Sequence, residues 1–101
     1  MIVWAPLASG FLTDGFSVER LHKDDFRRNH VFAQLELAPV RAALRGDRRT
    51  AAQGAIAFVL SHPAVTGAIV GVRNEREAAD LAHAADLRLT PDEVGEIAST
   101  T

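Results

Sequence analysis

The chain has 101 residues, room for one small domain or for a part of a larger one. Its 48% hydrophobic and 24% charged residues are ordinary for a globular protein and argue against disorder along the whole chain. A formal net charge of −2 gives no electrostatic basis for binding nucleic acid or an anionic membrane, and the absence of cysteine excludes a disulfide scaffold, a thiolate zinc site and a cysteine nucleophile. A chain without cysteine fits a reducing compartment, so a cytoplasmic location is expected. No apolar run approaches the roughly 20 residues needed to span a bilayer. Residues 1–9 lack the basic region of a signal peptide.

In chain order, Ile2, Val3, Trp4 and Ala5 form a short apolar run stopped by Pro6. An apolar run without alternation is expected to be a buried strand of the kind found in parallel sheets. Residues 6–29, with Gly10 and Gly15 and many polar groups, read as a long loop containing a helical turn. Loops of that length inside a compact domain, when ordered, are often functional. Residues 31–44 carry Val31, Leu35, Val40 and Leu44 at helical spacing, interrupted by Pro39, which predicts either two short helices or one kinked helix. Three helix starts then follow capping-box spacing: Thr50 with Gln53, Asn74 with Glu77, and Thr90 with Glu93, the last strengthened by Pro91. The first of these helices should end about His62, before Pro63, and the second near Ala85. Between them residues 67–71 form an apolar run bounded by glycines, again expected to be a buried strand.

This order implies a parallel α/β architecture with only two strands. Two parallel strands leave both sheet edges open. The expectation is therefore part of a larger sheet or barrel, incomplete alone, with marginal stability, self-association or dependence on a partner. Met1 standing directly at the first strand favours a truncated unit over an independent domain.

The sharpest chemical feature is the strand-to-helix passage Ile69, Val70, Gly71, Val72, Arg73, Asn74. The free N–H groups and dipole of a helix start attract an anion, and Arg73 adds a planar cationic fork suited to phosphate. In (β/α)8 barrels phosphate sites often lie after strands seven and eight. By spacing alone, an ordinary capped helix with a solvated arginine is the commoner outcome. His22, His30, His62 and His83 share no ligand spacing, so no metal site is expected. Asp24, Asp25, Arg27 and Arg28 read as a solvated loop cluster, and Arg41, Arg45, Arg48 and Arg49 as a solvated helix face and turn. Ser9 is not surrounded by a nucleophile elbow. Trp4, the only tryptophan, sits at a strand's carboxyl end, where core packing competes with stacking on a ligand ring.

Taken together, several segments resemble the aldo-keto reductase family. Residues 4–13 (Trp4, Ala5, Pro6, Leu7, Ala8, Ser9, Gly10, Phe11, Leu12, Thr13) are similar to its Tyr-Ser-Pro-Leu, Gly, Leu-Thr-Gly segment. Asp25, Phe26 and Arg27 resemble an acidic-aromatic-arginine point in the loop that follows. Residues 50–60 resemble the helix with Gln and Ala-Leu-Ala-Trp, and residues 63–73 the stretch ending Ile-Pro-Gly-Ala-Arg. Residues 87–93 resemble the closing Leu, Leu, Ser/Thr, Glu-Glu pattern. The resemblance covers nearly the whole chain, in order and with matching gaps.

The resemblance implies a partial domain over residues 1–101, the last two β/α units and closing helix of a (β/α)8 TIM barrel. It also implies NADP-dependent carbonyl reduction by hydride transfer. By it, Trp4 faces the nicotinamide, and Pro6, Leu7 and Gly10 lie on the pyrophosphate side. Gly71, Arg73, Asn74, Glu77 and Asp80 face the adenosine end. The family's general acid is a tyrosine within an Asp, Tyr, Lys and His tetrad; this chain has no tyrosine and a single lysine, Lys23, at no tetrad position. No residue here is therefore assigned a catalytic role. Departures gather at the adenosine end: Glu77 stands for glutamine, Leu81 for asparagine, Asp80 for glutamate and Val70 for proline. A carboxylate beside a 2′-phosphate repels it, which shifts the cofactor expectation from NADP towards NAD. A non-catalytic module that binds a nucleotide or a partner is the alternative function.

Overall fold

The computed structural model describes residues 1–100. Strand β1 (Ile2–Trp4) pairs in parallel with β2 (Gly67–Ile69), in the register Ile2 to Gly67, Val3 to Ala68 and Trp4 to Ile69. The Met1 ammonium donates to the Ala64 carbonyl at 3.0 Å, and the Thr66 N–H donates to the Met1 carbonyl at 2.7 Å, which sets the lower end of the register. The pairing is as expected, but the strands are not buried. Ile2, Trp4 and Ile69 are 64%, 79% and 64% exposed, because none of the described residues covers the face they share. Val3 and Ala68, on the opposite face, are half-buried.

Four α-helices follow: α1 (Ala38–Arg45), α2 (Ala51–Leu60), α3 (Glu75–Ala82) and α4 (Pro91–Thr100). Pro39 lies in the first turn of α1, where its fixed φ and missing N–H cost nothing. Residues 31–44 are therefore a short 3₁₀ turn (Val31–Gln34) and a separate helix, the first of the two alternatives. Helix α2 stops at Leu60, two residues short of His62, and α3 passes into a 3₁₀ turn (His83–Asp86) that holds Ala85.

Helix α2 is the central element. Its small face, Ala51, Ala52, Gly54, Ala55 and Ala57, is buried. A Cβ at Gly54 would lie 1.9 Å from the Leu44 carbonyl oxygen, so only glycine admits the end of α1. Leu44, Ala51, Ala55 and Ile97 form the core, with Leu7, Leu12, Val40, Ala43, Phe58 and Leu89 around it. Arg49 fastens this core. Its guanidinium donates to the Leu44 carbonyl at 2.6 Å and the Ala43 carbonyl at 3.3 Å, and it pairs with Glu93 at 2.7 Å. The expected solvated arginine face is thus corrected for Arg49, 10% exposed at its side chain, and for Arg41, which donates to the Phe11 carbonyl, while Arg45, paired with Asp14, and Arg48 are exposed as expected.

Two parallel strands and packing helices give a small α/β unit compatible with part of a barrel. The described residues themselves form a two-stranded sheet.

Candidate functional site

A groove of about 970 Å³ opens at the carboxyl ends of β1 and β2. One wall is the turn after β1, with Pro6, Leu7, Ser9 and Gly10; the segment through Phe16, Ser17, Arg20 and Leu21 extends it. The other wall comes from Gly71, Arg73, Glu77, Asp80 and Leu81, after β2 and along α3. Trp4 and Ile69 lie between the walls.

The turn after β1 is strained. Ala5, Ala8 and Ser9 have φ of 53°, 51° and 57°, and Gly10 has φ of 90°. A non-glycine residue in the left-handed region costs roughly 1 kcal/mol or more, and such residues concentrate at functional sites. Backbone bonds close the turn: Ala8 N–H to the Ala5 carbonyl at 3.1 Å and Leu12 N–H to the Leu7 carbonyl at 3.2 Å. Phe11, buried at its end, stacks against Phe16 with ring centroids 4.6 Å apart.

Arg27 locks the same wall. It pairs with Asp25 through two bonds of 3.0 and 2.8 Å, donates to the Ser9 carbonyl at 3.2 Å, and lies 5.7 Å over the Phe16 ring. Hydrogen bonds from the Arg27 side chain, and then from its backbone N–H, hold the Asp25 carboxyl down at about 2. Within the cluster read as a solvated loop, Asp25 and Arg27 therefore form an organised clamp, while Asp24 is exposed as expected.

On the opposite wall Asn74 caps α3, its Oδ1 accepting from the Glu77 N–H at 2.8 Å. Glu77, half-buried, turns back to Arg73. One of its oxygens accepts from the Arg73 N–H at 3.2 Å, and the other from the Arg73 guanidinium at 3.3 and 3.2 Å. The fork suited to an anion thus already holds one, belonging to the chain itself.

The groove brings together eight of the nine residues singled out from the sequence: Trp4, Pro6, Leu7, Gly10, Gly71, Arg73, Glu77 and Asp80. Asn74 is not among its lining residues and acts behind the wall as a cap. Sequence reasoning missed Arg20, Phe16 and Asp14 as lining residues. Only the length of the loop pointed towards them.

The sequence matches the Aldo/keto reductase family over residues 1–101. The chain belongs to the aldo/keto reductase family. Members of this family typically use nicotinamide cofactors. The groove of this aldo/keto reductase chain opens where parallel α/β sheets bind ligands, outside the carboxyl ends of the strands. Among the described residues no helix is long and apolar enough to cross a membrane. None of their histidine, aspartate and glutamate side chains form a group of three able to hold a metal ion.

Proposed function

We propose that this aldo/keto reductase chain holds a nicotinamide dinucleotide in the groove and serves as the cofactor side of a carbonyl-reducing enzyme. The observation that supports it is convergence: segments from both halves of the chain, each similar to a cofactor-facing segment of the family, line one cavity. That cavity is of the size ligand sites usually have.

The bound cofactor would supply the hydride. The chain's own residues would bind and orient it. The exposed indole of Trp4 offers a flat face for the nicotinamide ring. The turn carrying Pro6, Leu7 and Gly10 offers close backbone approach along the phosphates, and Asp80 stands at the adenosine end. The Arg73–Glu77 pair supports NADH over NADPH, because a 2′-phosphate must displace a carboxylate already seated on the fork. The chain has no tyrosine, so the acid that protonates the carbonyl oxygen would come from outside these 101 residues.

The second reading, a nucleotide- or partner-binding module without chemistry, is favoured by that missing tyrosine and by the apolar sheet face left open. A titration with NADH and NADPH, followed by quenching of Trp4 and by thermal melting, tests the proposal. Saturable quenching with a raised melting temperature is expected. A folded chain that binds neither dinucleotide refutes it. Binding without carbonyl reduction, even when the rest of a family enzyme is supplied, selects the second reading.

A further inference from the structure

Both walls of the groove are tied to the first turn of α2, from which Thr50 and Ala52 also reach the groove. On the loop side, Asp14 Oδ2 accepts from the Ala51 N–H at 2.9 Å, and its Oδ1 accepts from the Arg45 guanidinium at 3.0 Å. Ala51 is fully buried, and its N–H is one of the first-turn donors that a helix cannot satisfy by itself. On the α3 side, Gln53 Nε2 donates to the Asp80 carbonyl at 2.7 Å. Gln53 Oε1 meanwhile accepts from the Thr50 N–H at 3.0 Å and closes the helix cap.

The loop has a further seat on α1. Arg41, one turn before Arg45, donates to the Phe11 carbonyl at 2.9 Å. Residues 11–14 are thus fastened to α1 and α2 before the chain goes on to Phe16, Ser17, Arg20 and Leu21 along the wall. Asp14 stands where the family segment named above ends in glycine, which has no side chain to make such a tether.

We propose that Asp14 and Gln53 are positioning residues that set the separation of the two walls, and with it the seat of a ligand spanning them; the proposal rests on the cofactor reading given above. Both oxygens of Asp14, and both polar atoms of Gln53, are engaged within the chain. Their worth to a ligand is therefore in holding the walls and not in direct contact. A dinucleotide that touches both walls needs them at one distance, and a wall left to wander must be ordered again on binding, which costs affinity.

The test reads the separation directly. The chain has no cysteine, so Glu19→Cys and Arg76→Cys place one spin label on the loop segment and one on α3, both at exposed positions. Double electron–electron resonance then gives the distance distribution between the walls. Into this background go Asp14→Ala, which removes both bonds of the loop tether, and Gln53→Glu, which keeps the acceptor for Thr50 and loses the donor to Asp80. In each variant the distribution should broaden or shift. Without labels, each should bind NADH about three-fold more weakly or worse by calorimetry well below its melting range, the scale of one hydrogen bond. Unchanged distances in either variant overturn the proposal, whatever the affinity does. So does a broadened distribution with NADH affinity intact, because the separation would then not matter to the ligand. A lowered melting temperature as the only effect marks a purely structural role and overturns it too. If Asp14→Ala does not fold, Gln53→Glu, with its helix cap kept, decides by the same two readouts. Failure of the unaltered chain to bind NADH or NADPH removes the cofactor reading and this proposal with it, whereas NADH bound equally by the unaltered chain and both variants removes the positioning role alone.

Discussion

Glu77 decides how much of the Arg73 charge a ligand can use. Its two oxygens hold the backbone N–H and the fork of Arg73, whose side chain is otherwise 88% exposed. Glu77→Gln keeps the hydrogen-bonding shape and removes the charge. The expected result is a gain of roughly five-fold in NADPH affinity with NADH nearly unchanged, the scale of one exposed charge interaction. Equal shifts for both would show that Glu77 does not stand near the 2′-phosphate. A second residue-scale prediction concerns Asp25, whose carboxyl Arg27 holds at about 2 against an ordinary 3.8. A depressed carboxylate stabilises the folded state above its unfolded pKa and loses that contribution as pH falls through the folded value. The melting advantage of the unaltered chain over Asp25→Asn should be full above pH 3.8 and gone near pH 2. A pH-independent difference would refute the clamp. Neither relation was legible in the sequence. Asp25 and Arg27 looked like solvated loop charges because their use depends on Ser9 and Phe16, which only the folded turn brings near.

At the scale of elements, the sequence marked helix starts well because capping is local. Thr50 and Gln53 close the expected reciprocal box, and so do Thr90 and Glu93, with bonds of 2.9 and 3.1 Å. At Asn74 the cap forms but Glu77 reaches one residue further back, to Arg73, because the guanidinium there competes for the carboxylate. Contacts between elements were not legible. Arg49 reads as a turn arginine until the ends of α1 and α4 are seen to meet on it. Gly54 reads as a weak point in a helix, yet it sits where α1 crosses α2. In an open helix Gly→Ala gains about 1 kcal/mol. Here the added Cβ would fall 1.9 Å from a backbone oxygen that cannot swing aside. Overpacking of this kind costs about 1–3 kcal/mol or more. Gly54→Ala should therefore lower the melting temperature by several degrees, against the helix propensity trend. A variant that melts higher would mean that α1 and α2 do not approach this closely.

For the whole molecule, burial is divided unevenly between helices and sheet. The core of Leu44, Ala51, Ala55 and Ile97, with the half-buried residues around it, draws on α1, α2, α4 and the loops and contains no strand residue. The strands were expected to be buried because Ile2, Val3 and Trp4 are apolar without alternation. That inference holds for a sheet covered on both faces, and here one face has no cover. Met1, Ile2, Trp4 and Ile69 are therefore exposed together, beside two open edges. A two-stranded sheet is marginal by itself, and a contiguous apolar patch of this kind promotes association. Sedimentation of the 10.9 kDa chain at rising concentration should show mass above the monomer. A charge on an edge strand blocks edge pairing, so Ile69→Lys should reduce that association. It should leave the helical core's melting nearly unchanged, because the Ile69 side chain is 64% exposed and is not part of the buried cluster. A chain that stays monomeric throughout would show that the open sheet face is tolerated in water. Association unaltered by Ile69→Lys would instead move the sticky surface to the other exposed apolar group, Phe26, Val31 and Leu35, on the loop.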